Sequence, residues 1–127
     1  MDYLEVLRSI YKPDFGSIWK APNCIWTTGF AKNVAQSECH PAVVEYMKSD
    51  NVSVQLVPGT SVDYNKGSCV FKVDLASNGK LSYFLIKLSM PYSMSSLLKL
   101  KRGWDGIQDL SEDQKKDFLW QIKICKG

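Results

Sequence analysis

Short runs in which apolar and polar residues alternate recur along this chain, and such runs are typical of half-buried strands. The predicted strands are residues 16–20, 42–47, 52–57, 68–75, 81–88 and 97–101. The runs 68–75 and 81–88 flank Ser77-Asn78-Gly79-Lys80, and Asn-Gly is the strongest short-range signal for a hairpin turn. The pattern therefore predicts a mainly β domain that contains an antiparallel hairpin.

Both ends of the chain carry helical periodicity instead. Near the N-terminus, apolar residues follow Asp2 at helical spacing until Pro13, which predicts an amphipathic helix over residues 2–12. Near the C-terminus, residues 111–114 read Ser-Glu-Asp-Gln, which is a capping box. The apolar residues that follow it on one helical face are Phe118, Leu119, Ile122 and Cys125. We expect a helix over about 111–124 that packs against the sheet.

The composition is that of a single globular domain spanning residues 1–127. With 45% hydrophobic and 23% charged residues, the chain can bury a core of its own. No apolar run is long enough to cross a bilayer, and the acidic start differs from a secretory signal, so we expect a cytoplasmic protein with no membrane partner. The net charge of +3 permits RNA binding without indicating it.

The four cysteines, Cys24, Cys39, Cys69 and Cys125, have no spacing typical of a metal site. Cys39 and His40 are adjacent, but neighbouring residues of a strand point to opposite faces, which makes joint ligation of one metal awkward. We therefore expect reduced thiols, no bound metal and no cofactor.

Two short segments join strand-forming residues to polar groups. Residues 40–44 read His-Pro-Ala-Val-Val, and residues 57–61 read Val-Pro-Gly-Thr-Ser. Residues 16–19 read Gly-Ser-Ile-Trp. This set resembles MazF/PemK-type toxins, in which a Gly-Glu/Asp-Ile-Trp opening precedes a strand that begins Arg-Pro-Ala-Leu/Val-Val and another that ends Val-Pro-x-Thr-Ser/Thr. In this chain His40 stands in place of the arginine.

The resemblance covers residues 15–124 and implies a small SH3-like antiparallel barrel of the MazF/PemK/CcdB type, with the helix 2–12 as an addition. It also implies a sequence-specific, metal-independent endoribonuclease toxin, or a divergent descendant of one. Family members are homodimers that bind single-stranded RNA in a groove across the subunit interface, and an antitoxin protein fills that groove. The alternative is a catalytically inactive module that keeps the fold and binds RNA or a protein.

RNA cleavage through the ribose 2′-hydroxyl needs a base, an acid and donors for the phosphate oxygens. His40, the only histidine, can serve as base or acid at neutral pH, or it can simply bond a loop carbonyl. By the resemblance, Thr60 and Ser61 are the hydroxyls that hold the phosphate, although Pro58-Gly59-Thr60-Ser61 also fits a plain turn. Glu38 shares a strand face with His40 and could raise its pKa.

Further residues are candidates for binding RNA. The resemblance gives Lys87 the position of a family arginine, whereas Ser89 replaces the nearby family aspartate; a solvated strand lysine is the other interpretation. In the long connection 22–39, the aromatic residues Trp26 and Phe30 and the cation Lys32 suit unstacked bases, or the aromatics anchor the loop on the core. Arg102 belongs to a basic cluster that could follow an RNA backbone or guard an edge strand.

Overall fold

The computed structural model describes residues 15–27, 38–47, 52–62 and 69–126. The predicted helix 2–12 and the candidate residues Phe30 and Lys32 lie outside these ranges. Every structural statement below concerns the described residues.

Seven strands and two α-helices make up the fold. The strands are β1 (Ile18–Pro22), β2 (Cys39–Met47), β3 (Ser53–Thr60), β4 (Val70–Val73), β5 (Ser82–Leu85), β6 (Met90–Ser93) and β7 (Lys101–Arg102). The helices are α1 (Met94–Leu97) and α2 (Glu112–Lys126), and short 3-10 helices span Asn23–Ile25 and Ile86–Leu88. The mainly β class with a C-terminal helix is confirmed.

All strand pairs are antiparallel and form one sheet in the order β4-β5-β3-β2-β1-β7. β3 changes partner along one edge, because Ser53–Leu56 pairs with β6 whereas Gly59 and Thr60 pair with β5. The strands at the two ends of this order, β4 and β7, do not pair with each other in the described part of the chain. The sheet is therefore open there, in contrast to the expected barrel.

The sheet is apolar on both faces, as strands covered on both sides must be. On one face Trp19, Ala42 and Leu56 pack with Met90 and with Leu97 of α1. On the other, the core residues that meet Phe118 of α2 are Ile18, Val43, Val57, Phe71, Phe84 and Leu110. The two clusters explain why consecutive residues of β2, such as Val43 and Val44, are both fully buried.

The helix α2 begins where the capping box predicts. The Gln114 backbone N–H donates to Ser111 Oγ at 3.1 Å, and the Ser111 N–H donates back to Gln114 Oε1 at 2.8 Å. Phe118 then stacks between Phe15 and Phe71, with ring centroids 5.4 and 5.0 Å away. These ring contacts fix α2 on the sheet.

The predicted hairpin is confirmed, with a wider connection than its Asn-Gly pair suggests. β4 and β5 pair from Val73 opposite Ser82, so eight residues connect them. The Asp74 carboxylate accepts from the backbone N–H groups of Asn78 at 3.0 Å and Gly79 at 2.8 Å. By accepting these two hydrogen bonds, Asp74 holds the start of the connection to its second half. The pattern of apolar residues does not reveal this role of Asp74.

The predicted strand 97–101 is wrong. Residues Met94–Leu97 form α1, and only Lys101 and Arg102 are extended. The Ser93 side chain accepts from the Ser96 N–H at 3.4 Å, so it caps a helical turn at the point where the alternating pattern predicts a strand. This local hydrogen bond overrides the weak alternation of the segment.

Candidate functional site

The pairing of β2 with β3 brings two predicted site residues together. The strands pair with Val43 opposite Val57 and Ala42 opposite Pro58. Continuing this register by two residues places His40 opposite Thr60. Backbones of such neighbours lie about 5 Å apart, which is close enough for two side chains to act on one phosphate group.

Gly59 allows this close approach. A Cβ at this position would lie 2.6 Å from the Phe84 ring and 3.0 Å from the Pro41 carbonyl oxygen, so no side chain fits. Pro58, Gly59 and Thr60 are the last residues of β3 rather than a turn. The turn interpretation of this segment is therefore wrong: its glycine serves packing between strands.

Two further strands extend the pair into a row of polar side chains. Thr60 is opposite Tyr83 of β5, and Tyr83 is opposite Lys72 of β4. Residues directly opposite in antiparallel strands share a face. His40, Thr60, Tyr83 and Lys72, which we call the polar row, therefore lie side by side across four strands. At about 4.8 Å per strand the row spans about 14 Å.

The imidazole of His40 is oriented by Asn23. Its Nδ1 lies 2.5 Å from Asn23 Oδ1, and Asn23 is 1% exposed. Because an amide oxygen only accepts, Nδ1 carries the hydrogen and Nε2 is the basic nitrogen of the neutral ring. The Asn23 N–H donates to the Glu38 carbonyl at 2.8 Å, which ties the 3-10 helix to the start of β2.

The environment of His40 favours the neutral ring. Partial burial lowers the pKa of His40 below its usual value of 6.5, and the nearby Glu38 carboxylate opposes this shift by raising it. An imidazole that is neutral at pH 7 can accept a proton, which is what a general base must do. Glu38 itself is exposed at the start of the strand.

The two hydroxyl residues differ in exposure. Thr60 is 3% exposed, and its Oγ1 accepts from the Val62 backbone N–H at 3.2 Å. This contact uses an oxygen lone pair and leaves the hydroxyl hydrogen to be donated. Ser61 follows the end of β3 and is exposed to solvent. The pair can therefore supply one donor beside His40 and one at the surface.

Sequence reasoning missed Asn23, Tyr83 and Lys72 as site residues. Asn23 lies 17 positions before its histidine partner, and no local pattern links them. Tyr83 and Lys72 join the row only through the registers of three strand pairs. The one usable signal was the hairpin, whose alternation already places Tyr83 on one face.

Lys87 lies away from the polar row. It is exposed in the 3-10 helix Ile86–Leu88, four residues past Tyr83, which is about 10 Å along two strand residues and two 3-10 residues. There its charge acts on Cys125 of α2, whose pKa burial raises to about 11, together with a hydrogen bond to Cys69. The structure thus groups Lys87 with the C-terminal helix.

Two other predicted RNA contacts, Trp26 and Arg102, lie in the described ranges and are engaged in the fold. Trp26 is 8% exposed and belongs to the core, as the anchoring interpretation requires. The Arg102 guanidinium lies 2.7 Å from Asp109 Oδ1 and 5.8 Å from the centre of the Trp19 ring. Both side chains therefore have structural partners.

In residues 15–27, 38–47, 52–62 and 69–126, no three His, Cys, Asp or Glu side chains converge as metal ligands would. The four cysteines carry no disulfide. Neither helix in these ranges has the length and apolar character needed to cross a membrane.

Comparison of the sequence with models of known protein families gives no match, and comparison with curated proteins gives none either. The likeness to MazF/PemK-type toxins therefore depends on the three short motifs quoted above.

Proposed function

We propose that this protein is a metal-independent endoribonuclease, a divergent relative of the MazF/PemK-type toxins, and that the polar row is its active site. The observation that carries the proposal is His40, which is held through Nδ1 by buried Asn23 and lies opposite Thr60 when the β2–β3 register is continued by two residues. A positioned neutral imidazole beside a hydroxyl donor supplies the base and one phosphate donor that cleavage through a 2′-hydroxyl needs.

Each step can be assigned to a member of the row. His40 Nε2 takes the proton of the ribose 2′-hydroxyl, and the 2′-oxygen attacks the adjacent phosphorus. Thr60 donates to a phosphate oxygen as negative charge grows there, and Lys72 supplies a positive charge on the same face. The bond between the phosphorus and the 5′-oxygen then breaks. Tyr83, which is opposite Thr60 in the polar row, donates the proton that the leaving 5′-oxygen takes up. The products are a 2′,3′-cyclic phosphate and a free 5′-hydroxyl.

The family arginine that His40 replaces would act by charge, whereas His40 in this environment acts as a base. The mechanism therefore does not need the family aspartate, whose position Ser89 occupies, because a neutral imidazole takes a proton without a carboxylate. A homodimer with a shared RNA groove, silenced by an antitoxin segment, belongs to the same proposal.

The alternative is a binding module without catalysis. The burial of Thr60 favours it, since a hydroxyl that is 3% exposed reaches a phosphate only if the neighbouring chain moves. The accessible polar surface would then bind RNA or a protein without cutting it.

Incubation of the purified protein with a long single-stranded RNA in excess EDTA separates the two functions. The proposal predicts fragments that end in 2′,3′-cyclic phosphate, and no cutting of a 2′-O-methylated control RNA, which lacks the attacking hydroxyl. Cleavage that needs added Mg²⁺ would contradict the metal-free mechanism. RNA that is bound but uncut would favour the binding module.

A further inference from the structure

A cavity of about 370 Å³ lies at the β1–β7 edge of the sheet, apart from the polar row. Lys20 and Lys101 line it from the two strands, and the turn that contains Trp104, Asp105 and Gly106 forms its other wall. We call it the edge cavity. Its lining residues include three cations, one aromatic residue and a turn, and none of them takes part in the proposed cleavage.

Two like charges face each other in this cavity. Lys20 is directly opposite Lys101 in the β1–β7 pair, and both side chains are exposed. Like charges directly opposite on adjacent strands destabilise a sheet. Among the described residues neither lysine forms an ion pair, since the three ion pairs there join other residues. A bound anion would relieve this repulsion.

The turn beside the lysines adds hydrogen-bond donors. Trp104 and Ile107 exchange two backbone hydrogen bonds of 2.9 Å, and the residues between them, Asp105 and Gly106, have φ angles of 52° and 80°. These angles define a type I′ turn. In the described chain the amide N–H groups of Asp105 and Gly106 donate to no other backbone group. Successive amides in such a turn can bind an anion.

The charge around the cavity remains positive. Arg102 is neutralised by Asp109 at 2.7 Å, which leaves Lys20 and Lys101 against the Asp105 carboxylate. Asp105 has a structural reason to be there, because Asp-Gly is a preferred sequence for a type I′ turn. Trp104 is half-buried among the lining residues, where it also packs against the core.

We propose that the edge cavity is a second RNA-binding site, in which Lys20 and Lys101 bind a backbone phosphate and Trp104 stacks on a neighbouring base. A paired cationic groove with an aromatic platform is the usual chemistry of single-strand binding. This inference rests on the proposed function for the identity of its ligand.

The position of the cavity fits a role in holding RNA beside the polar row. Lys20 is paired on its other side with Pro41, the residue after His40. The cavity is therefore one strand away from His40 but on the opposite face, so the RNA must pass over the ends of β1 and β2 to contact both. The edge cavity would bind nucleotides that flank the scissile bond.

The test is the affinity of a fluorescein-labelled, 2′-O-methylated RNA of about twelve nucleotides, measured by anisotropy in EDTA over a range of salt concentrations. The double variant Lys20→Gln/Lys101→Gln should bind about tenfold more weakly and with a shallower salt dependence, because it loses a phosphate contact. Lys116→Gln/Lys123→Gln, which removes the same charge from exposed positions of α2, is the matched control. Lys20→Arg/Lys101→Arg should restore affinity.

Because this RNA cannot be cut, the result does not depend on catalysis. Wild-type affinity in the Lys20→Gln/Lys101→Gln variant, or an equal loss in the control, would overturn the proposal that the edge cavity binds RNA, even if cleavage is confirmed. Failure of the wild-type protein to bind the RNA would overturn it as well. Selective loss in the double variant would support it even if the unmodified RNA is never cleaved.

Discussion

Two ionisable side chains of β2 are buried or half-buried: His40 in the polar row and Glu45 at the far end of the strand. Their hydrogen-bond partners differ. At the far end, the Glu45 side chain is 3% exposed, and both its oxygens accept from Lys126 Nζ at 2.9 and 2.8 Å. Lys126 also donates to Ser89 Oγ, which accepts from Gln55 Nε2. His40 has instead a neutral amide partner, Asn23.

This difference separates a structural site from the proposed functional site. The Glu45–Lys126 pair is a closed charge pair that holds the end of α2 to β2. His40 is oriented through Nδ1 by a neutral amide, so the proposed role as a base falls to Nε2. The charge of the hydrogen-bond partner, more than burial, therefore distinguishes the ionisable group that we propose as a base from the one that only stabilises the fold.

The largest expected effect is at the polar row. His40→Ala and Thr60→Ala should each lower the cleavage rate by about 100-fold or more, the scale of a lost base or a lost transition-state donor. Because the two act on one phosphate, the double variant should be little slower than the poorer single variant. Thr60→Ser, which keeps the hydroxyl, should retain most of the rate.

Circular dichroism should show an unchanged fold in these variants. His40→Arg tests the role of the position: it should abolish cleavage if the neutral imidazole is the base. A rate equal to or above wild type in His40→Arg would assign the position to phosphate charge instead, and wild-type rates in both alanine variants would exclude the polar row.

The next effect concerns stability at the far end of β2. Lys126→Ala leaves the Glu45 carboxylate buried without its cation, so we expect a loss of about 2 kcal/mol in the free energy of unfolding. The loss is below that of a fully buried pair because Lys126 is 35% exposed. Urea denaturation measures it, with Lys123→Ala as the control. Equal stability of the two variants would show that the pair is not structural.

A smaller effect distinguishes the two lysines. Lys72→Gln should slow cleavage by about tenfold, because its charge lies on the polar row. Lys87→Gln should change the rate by about twofold or less, since about 10 Å of backbone separates it from Tyr83 and exposed charges are screened within about 8–10 Å. Rates under single-turnover conditions decide between them. A larger loss of rate in Lys87→Gln than in Lys72→Gln would return the catalytic role to Lys87, as the family resemblance implies.

The smallest effect is on pH dependence. Burial lowers the pKa of His40, and the Glu38 carboxylate raises it by a smaller amount. Glu38→Gln should therefore move the acidic limb of the cleavage-rate profile to lower pH, with the rate at neutral pH almost unchanged. A shift to higher pH would mean that another group controls this limb.

Local signals in the sequence predicted the parts of the fold that depend on local bonds. The capping box at Ser111 and Gln114 fixed the start of α2, and the Asn-Gly hairpin was found where two alternating runs meet. The segment 97–101 failed because a side-chain cap at Ser93 competes with alternation. A single hydroxyl is enough to change the outcome for so short a segment.

The candidate site was only half predictable. The motif positions pointed to His40 and Thr60, and the strand register brings them together. Asn23 could not be found, because it meets His40 only after the chain returns from β1 to β2. Lys87 was assigned by alignment of motifs, which carries no information about the 3-10 helix Ile86–Leu88 that takes it elsewhere.

The measurement that tests the central claim most directly is the titration of His40 itself. It is the only histidine, so its imidazole signals in a proton NMR spectrum need no assignment. A folded-state pKa below the unfolded value of 6.5 means that the folded protein binds the proton less well, so stability falls as pH drops below 6.5. The account predicts that the imidazole titrates below pH 6.5 and that the cleavage rate in EDTA falls with the same midpoint. An imidazole that titrates above pH 6.5, or a cleavage rate that does not follow its titration, would contradict the assignment of His40 as the base.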